Sequence, residues 1–410
     1  MTATLNTAAF ASVRTAASKN EIALTDRPKL GARTRAVRAG IATDSQYGAV
    51  VPPIHLSSNF SFAGFGQKRE YDYTRSGNPT RSILADALAE LEGGAGAVVT
   101  STGMSAITLV LQLLKPGSTI VCAHDCYGGT HRLLQALAAR GQFRCVFVDL
   151  TKPSAVAEIV ASGCSLVWIE TPSNPLLRIT DINTVCLAAH AAGALAVVDN
   201  TFLSPALQQP LELGADIAVH STTKYLNGHS DVVGGAVVAA DAAVVESLQW
   251  WANCLGLTGS PFDSYLTLRG VRTLHPRIAL HEENAQQVVE VLTSHAAVSR
   301  VYYPGLATHV GHHIAARQQS GFGAMVSFEL DGGIAAAKLL VESLNCFTLA
   351  ESLGGVESLI AHPATMTHAS MDEQAREIAG ITNSLFRLSV GLENGDDLAR
   401  DLRSALNAAA

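Results

Sequence analysis

Six short apolar runs, at residues 119–123, 145–150, 166–169, 194–198, 217–219 and 236–239, constrain this 410-residue chain more than any other feature. Each is too short for a helix and too uniformly apolar for a strand with one wet face. Each therefore reads as a strand buried on both sides. Helical patterns separate several of them, for instance at 132–139 and 182–192. That alternation predicts an α/β fold: a mostly parallel sheet covered by helices on both faces. In such sheets the ligand lies beyond the carboxyl ends of the strands. The polar loops after the runs thus converge on one rim: Asp125-Cys126-Tyr127-Gly128-Gly129, Glu170-Thr171-Pro172-Ser173-Asn174-Pro175, Asp199-Asn200-Thr201 and Ser221-Thr222-Thr223-Lys224.

Two of these loops deliver a chemical pair. The run 194–198 ends in Asp199, and the run 217–219 leads through a hydroxyl-rich turn to Lys224. Pyridoxal phosphate (PLP) needs both groups from a protein: an amine for the Schiff base and a carboxylate that keeps the pyridine nitrogen protonated. Alone, either residue reads as an exposed surface group, since Lys and Asp seldom lie inside. A second loop, Ser101-Thr102-Gly103-Met104-Ser105-Ala106, opens the helical run 107–114. Its free N–H groups and positive dipole end suit a phosphate. Gly94-Ala95-Gly96 is no dinucleotide fingerprint, because it lacks the third glycine and precedes its strand.

The remaining chain fills in the frame. A length of 410 residues predicts two domains. Apolar residues at 48% and charged ones at 15% suit a large buried core. A net charge of −7 gives no reason to bind nucleic acid, and no apolar run approaches a membrane span. Seven cysteines without a CxxC pair point to a reducing, cytoplasmic setting. Residues 1–33, rich in Ala, Thr and Ser, read as a disordered extension, and 49–62 as an extended arm because Pro52-Pro53 excludes helix. Residues 81–92 read as a helix stopped by Gly93-Gly94, and 276–294 as a long helix leading to a second, α+β domain with a strand at 325–330. Trp250-Trp251 is expected to pack near that domain. His309, His312 and His313 read as a surface loop and not a metal site, since no carboxylate stands at matching spacing. Asn394-Gly395-Asp396-Asp397 reads as an exposed turn.

The ordered segments VPPIHLSS, DYTRSGNPTR, STGMSA, HDCYGGT, TPSNPLLR, VVDNTFLSPALQ, HSTTKYLNGHSDVVGG, GFGAMVSFELDG, AESLGGVESLI and HPATMTH together resemble the Cys/Met-metabolism family of fold-type I PLP enzymes, from about residue 34 to about 402. The resemblance implies an aspartate aminotransferase-like fold. Its expected parts are the extension 1–33, an arm 34–75, a large PLP-binding domain 76–282 and a smaller C-terminal domain 283–410. Lys224 would carry PLP and, once freed, move protons on the substrate. Asp199 would face the pyridine nitrogen and Tyr127 would stack on the ring. Gly103, Met104, Ser221, Thr223 and Thr201 would surround the cofactor, with Tyr73 and Arg75 reaching in from a neighbouring subunit. That implies a homotetramer, a dimer of active-site dimers. Arg387 would clamp the substrate α-carboxylate, with Asn174, Ser352, Glu351, Arg132 and Asp72 around the rest of the substrate.

Within the family, Asp72, Gly129, Glu351 and Arg132 favour replacement at Cγ. The thiol of L-cysteine would displace the acyl group of O-succinyl- or O-acetyl-homoserine and give L-cystathionine. The alternatives are a cystathionine γ-lyase or an O-acylhomoserine sulfhydrylase. Ser76 departs from the pattern: bacterial members that perform the replacement carry a second arginine there.

Overall fold

The computed structural model describes residues 30–366 and 380–410; the expected extension falls almost wholly outside the described residues, as does the end of the HPATMTH segment. Residues Ala32–Ala410 form one compact unit. Its first sheet contains β1 (Gly96–Thr100), β2 (Thr119–Ala123), β3 (Arg144–Val148), β4 (Leu166–Glu170), β5 (Leu195–Asp199), β6 (Ile217–His220) and β7 (Gly235–Ala239), in the order β1-β7-β6-β5-β4-β2-β3. Strands β2 to β6 run parallel, while β7 is antiparallel to β6 and to β1. All six apolar runs are strands, and the stretch Ala97-Val98-Val99 supplies a seventh; β3, however, is an edge strand that leaves Arg144 and Val146 exposed and is not buried on both sides.

Helices cover both faces, as strands buried on two sides require. On one face lie α1 (Ala32–Arg38), α2 (Pro79–Glu92) and, later in the chain, the start of the long helix Leu274–Ser294. Leu84, Leu88, Leu91, Leu274 and Ile278 meet Ala97, Ala218 and Val238 there. On the other lie α3 (Gly103–Leu111), α4 (Gly128–Ala139), α5 (Ser154–Ser162) and α6 (Ile182–Ala191), with Ile107, Leu134, Ile159 and Val185 packed on Val121, Val167 and Val197. The caps explain two starts. Asn78 Oδ1 accepts the N–H groups of Thr80 and Arg81 ahead of Pro79 in α2, and Thr102 Oγ1 accepts the Ser105 N–H in α3. Helix α3 therefore begins at Gly103, four residues before the apolar periodicity, and α4 likewise begins at Gly128 rather than at 132. The Gly93 that ends α2 is left-handed, at φ 77°.

The short helix α7 (Ser204–Leu207) follows β5; α8 (Ala242–Leu255), α9 (Pro261–Val271) and α10 (Leu274–Ser294) follow β7. Trp250, 59% exposed, meets Trp251 edge to face, and Trp251 packs on the core of the first sheet. The pair thus belongs to α8, and Trp251 to the core of the first sheet, not to that of the second sheet. The second sheet, ordered β10-β11-β12-β9-β8, is built from β8 (Val298–Tyr302), β9 (Met325–Leu330), β10 (Thr348–Leu349), β11 (Leu359–Ala361) and β12 (Leu385–Ser389). Helix α10 spans both cores: Ile278 lies in the first, Val288 and Leu292 in the second. α11 (His312–Gln318) and α12 (Gly333–Ser343) follow, and the final helix, α13 (Gly395–Ala409), lays Leu398, Leu402 and Leu406 on the second core. Two sequence expectations change here. Asn394 is the N-cap of α13, accepting from Asp396 and Asp397 N–H, and so starts a helix. His312 is half-buried, stacked on Phe322 and bonded through Nδ1 to Pro304 O, because the α11 turn folds it inward.

Candidate active site

The parallel pairing of β5 with β6 sets Asp199 beside Val219, so the Asp199 and Ser221–Lys224 loops leave the sheet together. Asp199 Oδ1 accepts both the N–H and the hydroxyl of Thr201, and Thr201 Oγ1 in turn accepts the Ser221 N–H at 2.9 Å. One threonine thus fastens both strand ends. Asp199 is half-buried. Burial raises its carboxyl above the ordinary range, opposed by the Thr201 bonds and then by the charge of His220.

After Ser221 the chain turns tightly, with Asn227 N–H on Thr222 O and Gly228 N–H on Lys224 O. The turn throws the Lys224 side chain across to the second sheet, where Nζ donates to Ser352 Oγ. Ser352 holds a left-handed backbone at φ 78°, unusual for a residue with a side chain. Arg387 of β12 closes the far wall. It is buried; Nη1 donates to Asn174 Oδ1 at 3.0 Å and Nη2 to Ser352 O at 2.7 Å, and Nε has no partner. Burial, then the Arg387 guanidinium, lowers the Lys224 amine to about 8, against the pull of Glu351. Burial also lowers Arg387 to about 10.

Tyr127 precedes α4, its N–H donating to Glu170 Oε2 at 2.6 Å. Its ring, 44% exposed, lies flat on Gly129: a Cβ there would come within 2.5 Å of Tyr127 Cε1 and 2.8 Å of Met104 Sδ. At the start of α3, a Cβ on Gly103 would come within 2.9 Å of Ser221 Cβ. The glycine therefore lets the first N–H groups of a helix close on the Ser221 hydroxyl, an arrangement that holds anions. Thr223 Oγ1 lies alongside but is engaged with Gly234, accepting its N–H at 3.0 Å.

Other expected site residues sit on the rim or the arm. Glu351 is exposed beside Ser352, and Arg132 is exposed on α4. In the arm, Asp72 accepts from Tyr73 N–H, Ser76 Oγ and Lys68 Nζ, which holds its carboxyl below the ordinary range, Lys68 first. Arg75 lies over the Tyr73 ring and donates to Asn253 O and Oδ1 on α8. Within one chain, then, Tyr73 and Arg75 belong to the arm and α8. Sequence reasoning missed Asn253, and it missed the buried set in which Glu92 Oε1 accepts from Asn200 Nδ2 and meets His220 Nε2 at 2.6 Å. The one available signal was a charged residue in each of two apolar elements.

This donor set fits PLP: a lysine amine of lowered pKa, a half-buried carboxylate, an aromatic face on glycine, and a helix N-terminus opposed by a serine. The family model described as Cys/Met metabolism PLP-dependent enzyme matches residues 33–407. The chain belongs to this PLP-dependent Cys/Met metabolism family. Among family members, the cystathionine gamma-synthase of Escherichia coli (strain K12) is 58% identical over 92% of this chain and 98% of its own. A cystathionine beta-lyase of Lactococcus lactis subsp. cremoris is 47% identical over 91% and 98%. The crystal structure of cystathionine gamma synthase from Xanthomonas oryzae pv. oryzae, in complex with aminoacrylate and cysteine, superposes with a TM-score of 0.92 at 64% identity, covering 93% of this chain and 99% of that one. The family cofactor is PLP, and the family fold is the two-sheet α/β arrangement described above.

Proposed function

We propose that this chain acts as a cystathionine γ-synthase, exchanging the acyl group on Cγ of an O-acylhomoserine for the thiol of L-cysteine. One Cγ–O bond breaks and one Cγ–S bond forms; L-cystathionine, the free carboxylate and the thiol proton are released. The observation that carries this reading is the buried Arg387, its Nε unpartnered, beside the Lys224–Ser352 pair and Glu351. It offers a clamp for an amino acid's carboxylate, a base close by, and an acid for a second amino group. The γ-synthases among the relatives support it.

PLP bound through Lys224 supplies an electron sink that makes protons at Cα and Cβ removable and lets the γ-acyloxy group leave. The chain's own residues do the rest. Arg387, fixed by Asn174, binds the α-carboxylate bidentately and sets the substrate's orientation. Lys224, with its amine lowered to about 8, accepts and returns protons near neutral pH, and Ser352 Oγ keeps that amine in place. Asp199, held by Thr201, would bring a negative charge to the pyridine nitrogen, and Tyr127 would stack on the ring. The Gly103 and Met104 N–H groups with the Ser221 and Thr223 hydroxyls hold the phosphate. Glu351 meets the ammonium of cysteine, Arg132 meets an acidic acyl tail, and Asp72 belongs to the substrate-binding residues. Ser76 donates to Asp72 Oδ1 and Tyr73 O and itself offers no cation for a succinyl carboxylate, so both esters are expected to react.

The same reading includes a homotetramer in which Tyr73 and Arg75 complete the phosphate site of a neighbouring subunit, the division into arm and two domains at 75/76 and 282/283, and a cytoplasmic location. No helix among the described residues is long and apolar enough to cross a membrane. Product analysis on the purified holoenzyme tests the function. Cystathionine formed from cysteine with O-succinyl- or O-acetyl-homoserine, and little breakdown of cystathionine alone, is the expected result. Rapid conversion of cystathionine to cysteine and 2-oxobutyrate, with little synthesis, would make the chain a γ-lyase.

A further inference from the structure

Glu170 ends β4 where Asp199 ends β5, the two paired in register. Register partners on parallel neighbours project from the same face, so the two carboxyl groups stand side by side. Glu170 is only 6% exposed. Two carboxyl groups so placed do not both ionise readily; one keeps its proton. The hydrogen bonds decide which. Asp199 Oδ1 accepts two from Thr201, whereas Glu170 accepts the Tyr127 N–H at 2.6 Å. The other titratable groups that face Glu170 are acids: Asp125 and Cys126 after β2, and Cys122 within it. The charge of Asp125 is met by Arg178 at 3.4 Å, and His220, from β6, acts on Asp199. Burial first, and the Asp199 charge second, raise the Glu170 carboxyl well above its ordinary range, with the Tyr127 N–H opposing.

We propose that Glu170 is a positioning residue held as a neutral carboxylic acid, which leaves Asp199 the single anion of the pair and pins the Tyr127 backbone so that its ring faces the cofactor. Its neutrality matters because a second anion would repel the Asp199 carboxylate across the β4–β5 register. Its carbonyl oxygen matters because no other acceptor replaces it at Tyr127 N–H. The proposal rests on the PLP site assigned above.

Infrared difference spectra of the full-chain holoenzyme in H2O and D2O, wild type against Glu170→Gln, test the proton. A protonated-carboxyl C=O stretch that persists at neutral pH in the wild type and is missing from the variant is expected; loss of carboxylate stretches in the variant with the protonated-carboxyl region unchanged overturns the proposal. Affinity for PLP tests the positioning. Glu170→Gln keeps a neutral acceptor and should bind PLP within about threefold of wild type, whereas Glu170→Ala, which orphans the Tyr127 N–H, should bind about tenfold more weakly. The alanine variant should also lose visible circular dichroism from the bound cofactor, because the Tyr127 ring is no longer fixed. A glutamine variant as weak as the alanine one means that a charge was needed, and overturns the proposal. A wild type that takes up no PLP would bring down the cofactor assignment and this proposal together, an outcome distinct from the others.

Discussion

Lys224 shows how little a residue type says before its surroundings are known. On the surface its amine would be an ammonium at every physiological pH; enclosed, and facing Arg387, it drops from 10.5 to about 8. The neutral amine is the form that attacks an aldehyde. The rate at which apo-protein takes up PLP should therefore rise with pH through about 8 and level off above it, as followed by stopped-flow absorbance. A rate still climbing toward the ordinary lysine value would show that the environment does not tune the amine. Arg387 makes a second prediction at this scale. Arg387→Ala removes a fork of donors and strands Asn174 Oδ1, so kcat/KM for the acylhomoserine should fall about 100-fold or more, in line with loss of a charge-assisted pair. Arg387→Lys should recover only part of it, since an ammonium cannot reproduce the planar fork. Steady-state kinetics on both variants checks the order, and equal rates for wild type and alanine would remove Arg387 from the site.

At the scale of elements, the site is a set of strand and helix ends held in register. Thr201 is the joint between β5 and β6, because its hydroxyl both donates to Asp199 and accepts from Ser221 N–H. Thr201→Val keeps the shape and the backbone bond to Asp199 but takes away one of its two donors and leaves the Ser221 N–H without its acceptor, so it should cost about 1–3 kcal/mol of stability and weaken PLP binding. Urea unfolding of the apo-protein with a PLP titration would separate the two effects; unchanged values in both would mean that the strands hold without this joint. Helix α13 gives a contrasting case. Leu402 is buried in the second core and is not among the residues assigned to the site, and Leu402→Ala should cost about 2–5 kcal/mol while PLP affinity of the folded protein stays close to wild type. The start of α13 also shows why a turn reading at Asn394 fails: polar Asn-Gly-Asp-Asp residues favour turns and helix caps alike, and the apolar stripe at Leu398, Leu402 and Leu406 decides for the cap.

For the whole molecule, the proposed exchange of Tyr73 and Arg75 between subunits makes a further prediction. Arg75→Ala and Lys224→Ala chains, each inactive alone, should regain activity when co-expressed, because mixed assemblies contain sites with one intact half from each chain. No recovery would argue that each chain builds its site alone. Much of the architecture was legible in the sequence, because strands buried on both faces must be uniformly apolar and the loops at their carboxyl ends must be polar. Asp199, Lys224 and Tyr127 could be picked out in those loops for that reason, and Gly103 because a phosphate cradle needs a residue without a side chain. What the sequence left open was every relation that crosses between elements distant in the chain. Glu170 looked like one more polar loop residue until register set it against Asp199, and Ser352 had no visible tie to Lys224 until a left-handed turn in one sheet met a loop of the other. The packing of Trp251 on the first sheet and the pairing of Arg75 with Asn253 were equally invisible. Local pattern follows from burial and backbone geometry, which neighbouring residues specify; pKa, orphaned donors and shared protons follow from contacts that only the packed tertiary structure creates.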